Sequence, residues 1–177
     1  MRTEFRLSGS GGQGLLLAGI VLAEAAILEG KNAVQTQSYG PEARGGASKA
    51  EVVVSEDDID YPKAIDPDFL LALTAEAYRT YGKVMGRGLV IVDASVPQSP
   101  EVTARTVRVP ILATAADELG KKVVANIVAL GVLGRVSGVV DLPTLESAVK
   151  NRVPKGTEDL NLKALRRGWE IAAAAAS

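Results

Sequence analysis

The run Gly9-Ser-Gly-Gly-Gln-Gly14 constrains this chain more than any other stretch. It stands between a short segment of strand character, Thr3–Ser8, and an alanine- and leucine-rich segment, Leu15–Glu29. In that second segment Leu15, Ala18, Leu22, Ala25, Ala26 and Glu29 recur at helical spacing, and Gly30 supplies a C-terminal stop. Ala33–Gln37 reads as a second strand. Strand, glycine turn, helix and strand within so short a span predict a βαβ unit whose strands point the same way.

The remaining chain continues the alternation. Ser48–Ser55 is valine-rich and alternating, so it reads as a strand; with no helix before it, it is expected to be antiparallel or at an edge. Glu56–Asp60 reads as an acidic turn, and Pro62 and Pro67 punctuate the connection that follows. Phe69–Thr74 and Gly88–Asp93 are nearly continuous apolar runs, the pattern of parallel strands buried on both faces. Thr106–Val109 is a further short strand. Helices are expected at Ala75–Met85, Ala115–Leu119, Lys122–Val136, Leu142–Asn151 and Thr157–Ala176. The order predicts an α/β fold, a three-layer α/β/α sandwich on a mostly parallel sheet with at least one antiparallel or edge strand. Residues 1–177 read as a single domain, the size at which one hydrophobic core suffices.

Composition matters chiefly through what is missing. The chain has no cysteine and no histidine. Disulfides, thiolate ligands for an iron–sulfur cluster and the commonest general base are therefore excluded, and a structural zinc has neither of its usual soft ligands. A net charge of −1 gives no global pull toward nucleic acid or an anionic membrane. Leu15–Leu28 is too short to span a bilayer and is interrupted by Glu24. Met1-Arg-Thr-Glu4 leads into a strand rather than an apolar leader, so a cytoplasmic protein is expected, with no nucleic-acid or membrane partner.

Two segments are candidates for binding. Gly9, Gly11 and Gly14, with Gly12 between them, match the spacing of a phosphate-binding turn, in which backbone N–H groups and a helix N-terminus meet an anion. The rest of a dinucleotide fingerprint fails, because the second strand reads Ala33-Val-Gln-Thr-Gln37 and closes on no acid for a ribose. The Gly-Lys-Ser/Thr of a P-loop is also absent. The alternative to an anion site is a tight crossover without ligand. The second segment, Gln37-Ser-Tyr-Gly-Pro-Glu-Ala-Arg-Gly-Gly46, should leave the same carboxyl edge of the sheet, where open α/β sheets bind ligands. Arg44, flanked by Gly45 and Gly46, could present its guanidinium beside free backbone donors, or could be a solvated arginine in a turn. Asp93, Lys121, Lys122 and Tyr39 read as a turn cap, a solvated helix start and a surface ring; an exposed Trp169 would mark a subunit contact.

Taken together, Gly9-Ser-Gly-Gly-Gln-Gly14, Ser38-Tyr-Gly-Pro-Glu42, Arg44-Gly-Gly46, Val52-Val-Val-Ser55 and Asn126-Ile-Val-Ala-Leu-Gly131 resemble the motif series of the gamma subunit of 2-oxoacid:ferredoxin oxidoreductases, in order and over nearly the whole chain. The resemblance implies one subunit of a hetero-oligomer that converts a 2-oxoacid, with 2-oxoglutarate preferred, and coenzyme A to acyl-CoA, CO2 and reduced ferredoxin. It implies alpha and beta subunits and a ferredoxin-like delta subunit as partners, with thiamine diphosphate and iron–sulfur clusters in them, and ferredoxin as acceptor. It implies no catalytic residue and no metal here. Ligand or subunit contacts would fall on Gly9, Gly11, Gly12, Gln13, Gly14, Tyr39, Glu42, Arg44, Gly45 and Gly46. Coenzyme A is the ligand such contacts would suit. A stand-alone nucleotide-binding protein of Rossmann-like type and a flavodoxin-like module are the competing readings. The low aromatic content, 4%, leaves little to stack on a flavin.

Overall fold

The computed structural model describes residues 1–38 and 47–175. Strands are β1 (Arg2–Gly9), β2 (Asn32–Ser38), β3 (Ser48–Ser55), β4 (Phe69–Ala72), β5 (Leu89–Asp93) and β6 (Thr106–Val109). Helices are α1 (Leu15–Leu28), α2 (Ala75–Gly82), a short α3 (Ile111–Ala113), α4 (Ala125–Ser137), α5 (Leu142–Arg152) and α6 (Glu158–Ala175). The six strands form one sheet in the order β2-β3-β1-β4-β5-β6. Only β3 runs against the others, pairing antiparallel with both β1 and β2. The expected antiparallel strand is therefore present, but it lies inside the sheet and β2 takes the edge.

The apolar runs divide as their two-residue period requires. Leu71, Leu73 and Ile91 enter the larger core beneath α1 and α4, while Leu70, Ala72, Val90 and Val92 enter a smaller one with Tyr78 and Tyr81 of α2. Burial on both faces is why these strands carry no polar alternation. The sandwich thus has α1, α4, α5 and α6 on one side and α2 on the other, as the alternation predicted.

The segment read as a punctuated connection also covers part of the sheet. Buried Glu51 accepts from Arg6 and from the backbone N–H of Ala64. Buried Glu4 accepts from Ile65 N at 2.7 Å, Asp66 N at 3.0 Å and Arg2 Nε at 2.8 Å. These carboxylates pin the covering segment to β1 and β3; they are paired and hydrogen-bonded, as buried charges must be.

The helix expected at Ala115–Leu119 begins earlier, as α3, and widens into a π turn over Thr114–Glu118. Thr74, read as the end of β4, instead caps α2 by accepting from Ala77 N. Lys122–Val124 forms a 3₁₀ turn before α4 proper.

Ion pairs tie the outer helices together. Burial raises the Glu24 and Glu29 carboxyls, but hydrogen bonds from Arg152 and Asn151 to the first, and from Asp141 N and Lys31 to the second, outweigh it and hold both below the ordinary 4.5. Hydrogen bonds from Arg166 and Arg167 hold Glu146 and Glu118 low in the same way. A depressed folded pKa contributes stability above the unfolded value and loses it as pH falls through the folded one. Thermal melts should therefore show a Tm that declines progressively below about pH 4.5, the pKa of an unperturbed glutamate. A Tm unchanged well into acid would show that these pairs contribute nothing.

Candidate functional site

The Gly9–Gly14 loop leaves the carboxyl end of β1, with Gly9 directly across from Ser48 in the β1–β3 register. The turn closes on itself where Gln13 Oε1 accepts from Ser10 N at 2.8 Å. Two glycines are required by backbone geometry, since Gly12 has φ 82° and Gly14 φ 74°, the left-handed region that side chains resist. Gly11 has no such requirement.

Gly14 is also the N-cap of α1; among the described residues no side chain caps that helix, and its first turn holds no acid. The first-turn N–H groups of a helix have no intrahelical acceptor, so this end offers backbone donors and positive potential. Among the described residues, a Cβ on Gly11 or Gly12 would meet nothing within 4 Å.

Three loop carbonyls are held from behind. Ser48 Oγ lies 3.1 Å from Gly9 O and 3.4 Å from Ser10 O. Buried Ser8 Oγ in turn donates to Ser48 O at 2.7 Å. From α4, the buried side chain of Asn126 donates through Nδ2 to Gly14 O at 3.1 Å, while its Oδ1 accepts Ile127 N at 2.9 Å. A Cβ on Gly14 would lie 2.6 Å from Asn126 Nδ2. The glycine is thus fixed twice, by its φ and by its neighbour.

In front of the loop is a cavity of about 570 Å³, lined by Gly12, Gln13, Leu112, Ala116, Lys122, Val123 and Ala125. Its walls are mostly apolar, with one ammonium, and Val123 stands 78% exposed at its side. The arrangement suits a ligand that combines an anionic group for the loop with an apolar portion for Leu112, Ala116 and Val123.

Of the residues predicted from sequence, Gly9, Gly11, Gly12, Gln13 and Gly14 form the loop, with Gly12 and Gln13 at the cavity. Tyr39, Glu42, Arg44, Gly45 and Gly46 lie outside the described residues. The strand ends that flank them, Ser38 and Ser48, are at the same edge as the loop. Asp93 is a cap: its carboxylate accepts Ser95 N at 2.9 Å and Leu112 N at 2.8 Å, joining β5 to the cavity wall. Lys122 is exposed in the turn that opens α4, the solvated helix start expected of it, and from there it also lines the cavity. Trp169 is half-buried against α4, with the Arg135 guanidinium over its ring at 5.7 Å, so it packs within its own domain. Sequence reasoning missed the apolar wall and the supports Ser48 and Asn126. Asn126 stood in a quoted motif; the wall residues come from short irregular turns whose placement no periodicity signals.

The dinucleotide-binding alternative fails on topology. In that fold the strand after the first helix pairs beside β1, which brings its terminal acid to the ribose. Here β3 intervenes, and β2 both stands one strand farther out and ends without an acid. Among the described residues no cluster of Asp or Glu could hold a metal ion, and no helix is long and apolar enough to cross a membrane.

Comparison with known proteins agrees with this geometry. Residues 4–171 match the family model of pyruvate ferredoxin/flavodoxin oxidoreductase. The chain is 49% identical to the 2-oxoglutarate synthase subunit KorC of Methanocaldococcus jannaschii, over 97% of this chain and 95% of that one. It superposes on the gamma subunit of a keto/oxoacid ferredoxin oxidoreductase from Geobacter sulfurreducens with a TM-score of 0.89 at 46% identity, covering 99% and 98% of the two chains. The pyruvate oxidoreductase subunit PORC of Thermotoga maritima gives a TM-score of 0.77 at 27% identity, covering 96% of each. On these likenesses, which run over nearly the whole chain, this chain belongs to the pyruvate ferredoxin/flavodoxin oxidoreductase family as a subunit of gamma type.

Proposed function

We propose that the chain serves as the gamma subunit of a 2-oxoglutarate:ferredoxin oxidoreductase. The observation that carries this reading is the near full-length 49% identity to a 2-oxoglutarate synthase subunit. The assembled enzyme would convert 2-oxoglutarate and coenzyme A to acyl-CoA and CO2 while reducing ferredoxin, in the cytoplasm. Alpha and beta subunits and a ferredoxin-like delta subunit would be its partners. Thiamine diphosphate and iron–sulfur clusters, held by those partners, supply the decarboxylating and electron-transfer chemistry. No residue of this chain is assigned a catalytic step.

What this chain contributes, on this reading, is a binding surface for coenzyme A. The backbone donors at Gly11, Gly12 and the start of α1 would meet a phosphate, and Lys122 would add charge. Leu112, Ala116 and Val123 would lie along the apolar part of the ligand. Arg44, between Gly45 and Gly46, with Tyr39 and Glu42 on the same stretch of chain, would supply a further contact to ligand or partner; their sequence alone supports that assignment.

Purification through a tag on this chain, followed by assay of the recovered complex, tests the substrate. The highest kcat/KM is expected with 2-oxoglutarate. A higher value with pyruvate, a branched-chain 2-oxoacid or indolepyruvate would overturn the assignment.

A further inference from the structure

We infer that Ser48 and Asn126 are positioning residues for coenzyme A binding, acting through the glycine loop rather than by touching the ligand; this rests on the reading of that loop as the coenzyme A contact. A loop that binds an anion through N–H groups must keep its carbonyls from turning toward the same ligand, because a carbonyl dipole repels it. Here the carbonyls of Gly9, Ser10 and Gly14 are each taken by a donor on the protein side: Ser48 Oγ for the first two, Asn126 Nδ2 for the third.

Each donor is set in place by its surroundings, Ser48 through its backbone and Asn126 through its side chain. A serine hydroxyl has one proton, so Ser48 Oγ shares it between Gly9 O and Ser10 O, and its own backbone carbonyl is held by Ser8 Oγ at 2.7 Å. Asn126 is 6% exposed, and its Oδ1 accepts Ile127 N, which settles which side of the amide faces Gly14. Gly14 O also accepts Ala18 N at 3.2 Å, the first turn of α1. The Asn126 contact therefore fixes the loop and the helix start as one body. The two supports come from different elements, β3 and α4, so the loop is gripped at both ends. Preorganised donors bind more tightly because the ordering cost has already been met by folding.

The test uses the intact complex and steady-state kinetics with coenzyme A. Ser48→Ala removes the shared proton donor, and Ser48→Thr restores it. Asn126→Asp keeps the shape but sets a carboxylate oxygen against Gly14 O and brings negative charge near the anion site. Loss of one neutral hydrogen bond corresponds to about a three- to tenfold effect. Ser48→Ala and Asn126→Asp should each raise the KM for coenzyme A by about that factor, with kcat and the KM for 2-oxoglutarate within about twofold. Ser48→Thr should return the KM for coenzyme A to the wild-type value. A merely structural role predicts a lower Tm, with both KM values and kcat either unchanged or shifted together, and no selective rescue; that result overturns the inference. Gly12→Val serves as the reference. If it raises the KM for coenzyme A and Ser48→Ala does not, the positioning role is wrong while the loop reading stands. If neither variant moves that KM, both are wrong.

Discussion

Replacing Gly12 with valine is expected to raise the Michaelis constant of the assembled enzyme for coenzyme A by about 10- to 100-fold, the loss of a charge-assisted contact of roughly 1.5–3 kcal/mol. Gly12 lines the cavity and its backbone has φ 82°. Among the described residues a Cβ there would meet nothing within 4 Å, so the isopropyl group would project into the space proposed for the ligand. The cost to the fold is a separate matter. A β-branched residue held at positive φ stores about 1–3 kcal/mol, which lowers the melting temperature without preventing folding. The two effects part in the measurement: KM for coenzyme A moves strongly and the melt moves modestly. An unchanged KM in an intact complex would leave the loop as a tight crossover only.

The largest effect on stability is expected at the crossing of α4 and α6. A Cβ on Gly131 would lie 2.2 Å from Leu165 O, and one on Gly168 would lie 2.0 Å from Val128 O. The obstructing atoms are backbone carbonyl oxygens, which cannot rotate aside as a side chain can. Ala129, Leu130, Val132 and Leu133 on α4, and Ala164 and Leu165 on α6, are fully buried about this contact. Valine at position 131 must therefore push α6 away from α4 and open the core between them, at a cost of about 3–5 kcal/mol. For a chain of this size that corresponds to a Tm lower by roughly 6–20 °C, or to failure to accumulate as a folded protein. Calorimetry of the Gly131→Val chain checks this; a melt within a degree or two of wild type would show that the two helices are not held in this contact.

The legibility of the fold followed the strength of its local signals. Ser48–Ser55 and Thr106–Val109 coincide with their expected bounds because alternation or β-branching ends abruptly at each end. The βαβ reading of β1, α1 and β2 was right in direction and incomplete in topology. That β3 would insert between β1 and β2 depends on pairing between residues as far apart as Arg2 and Ser55, which no window along the chain contains. The stretch Ile111–Val124 is the least legible. Its π turn, the Gly120 turn and the 3₁₀ turn have no shared period, and its role as a cavity wall exists only once β6 has placed it beside the loop.

The site was legible to the same degree. Glycines announce themselves because their conformational freedom has few other uses at a strand-to-helix junction, and Gly12 and Gly14 have the positive φ that this implies. Ser48 and Asn126 are ordinary residue types whose importance lies in what they touch. One opens a strand and the other sits within a helix, and only the tertiary structure brings both to the loop.

This chain, as proposed, belongs to an oxidoreductase yet performs none of its chemistry. The most direct measurement is an assay of the purified chain alone, with 2-oxoglutarate, coenzyme A, thiamine diphosphate and a viologen dye as acceptor, beside a visible spectrum. With no cysteine for a cluster and no histidine for general base work, the chain should be colourless and give no turnover, while the complex recovered through it is active. Dye reduction by the isolated chain, or a bound chromophore in it, would contradict the account.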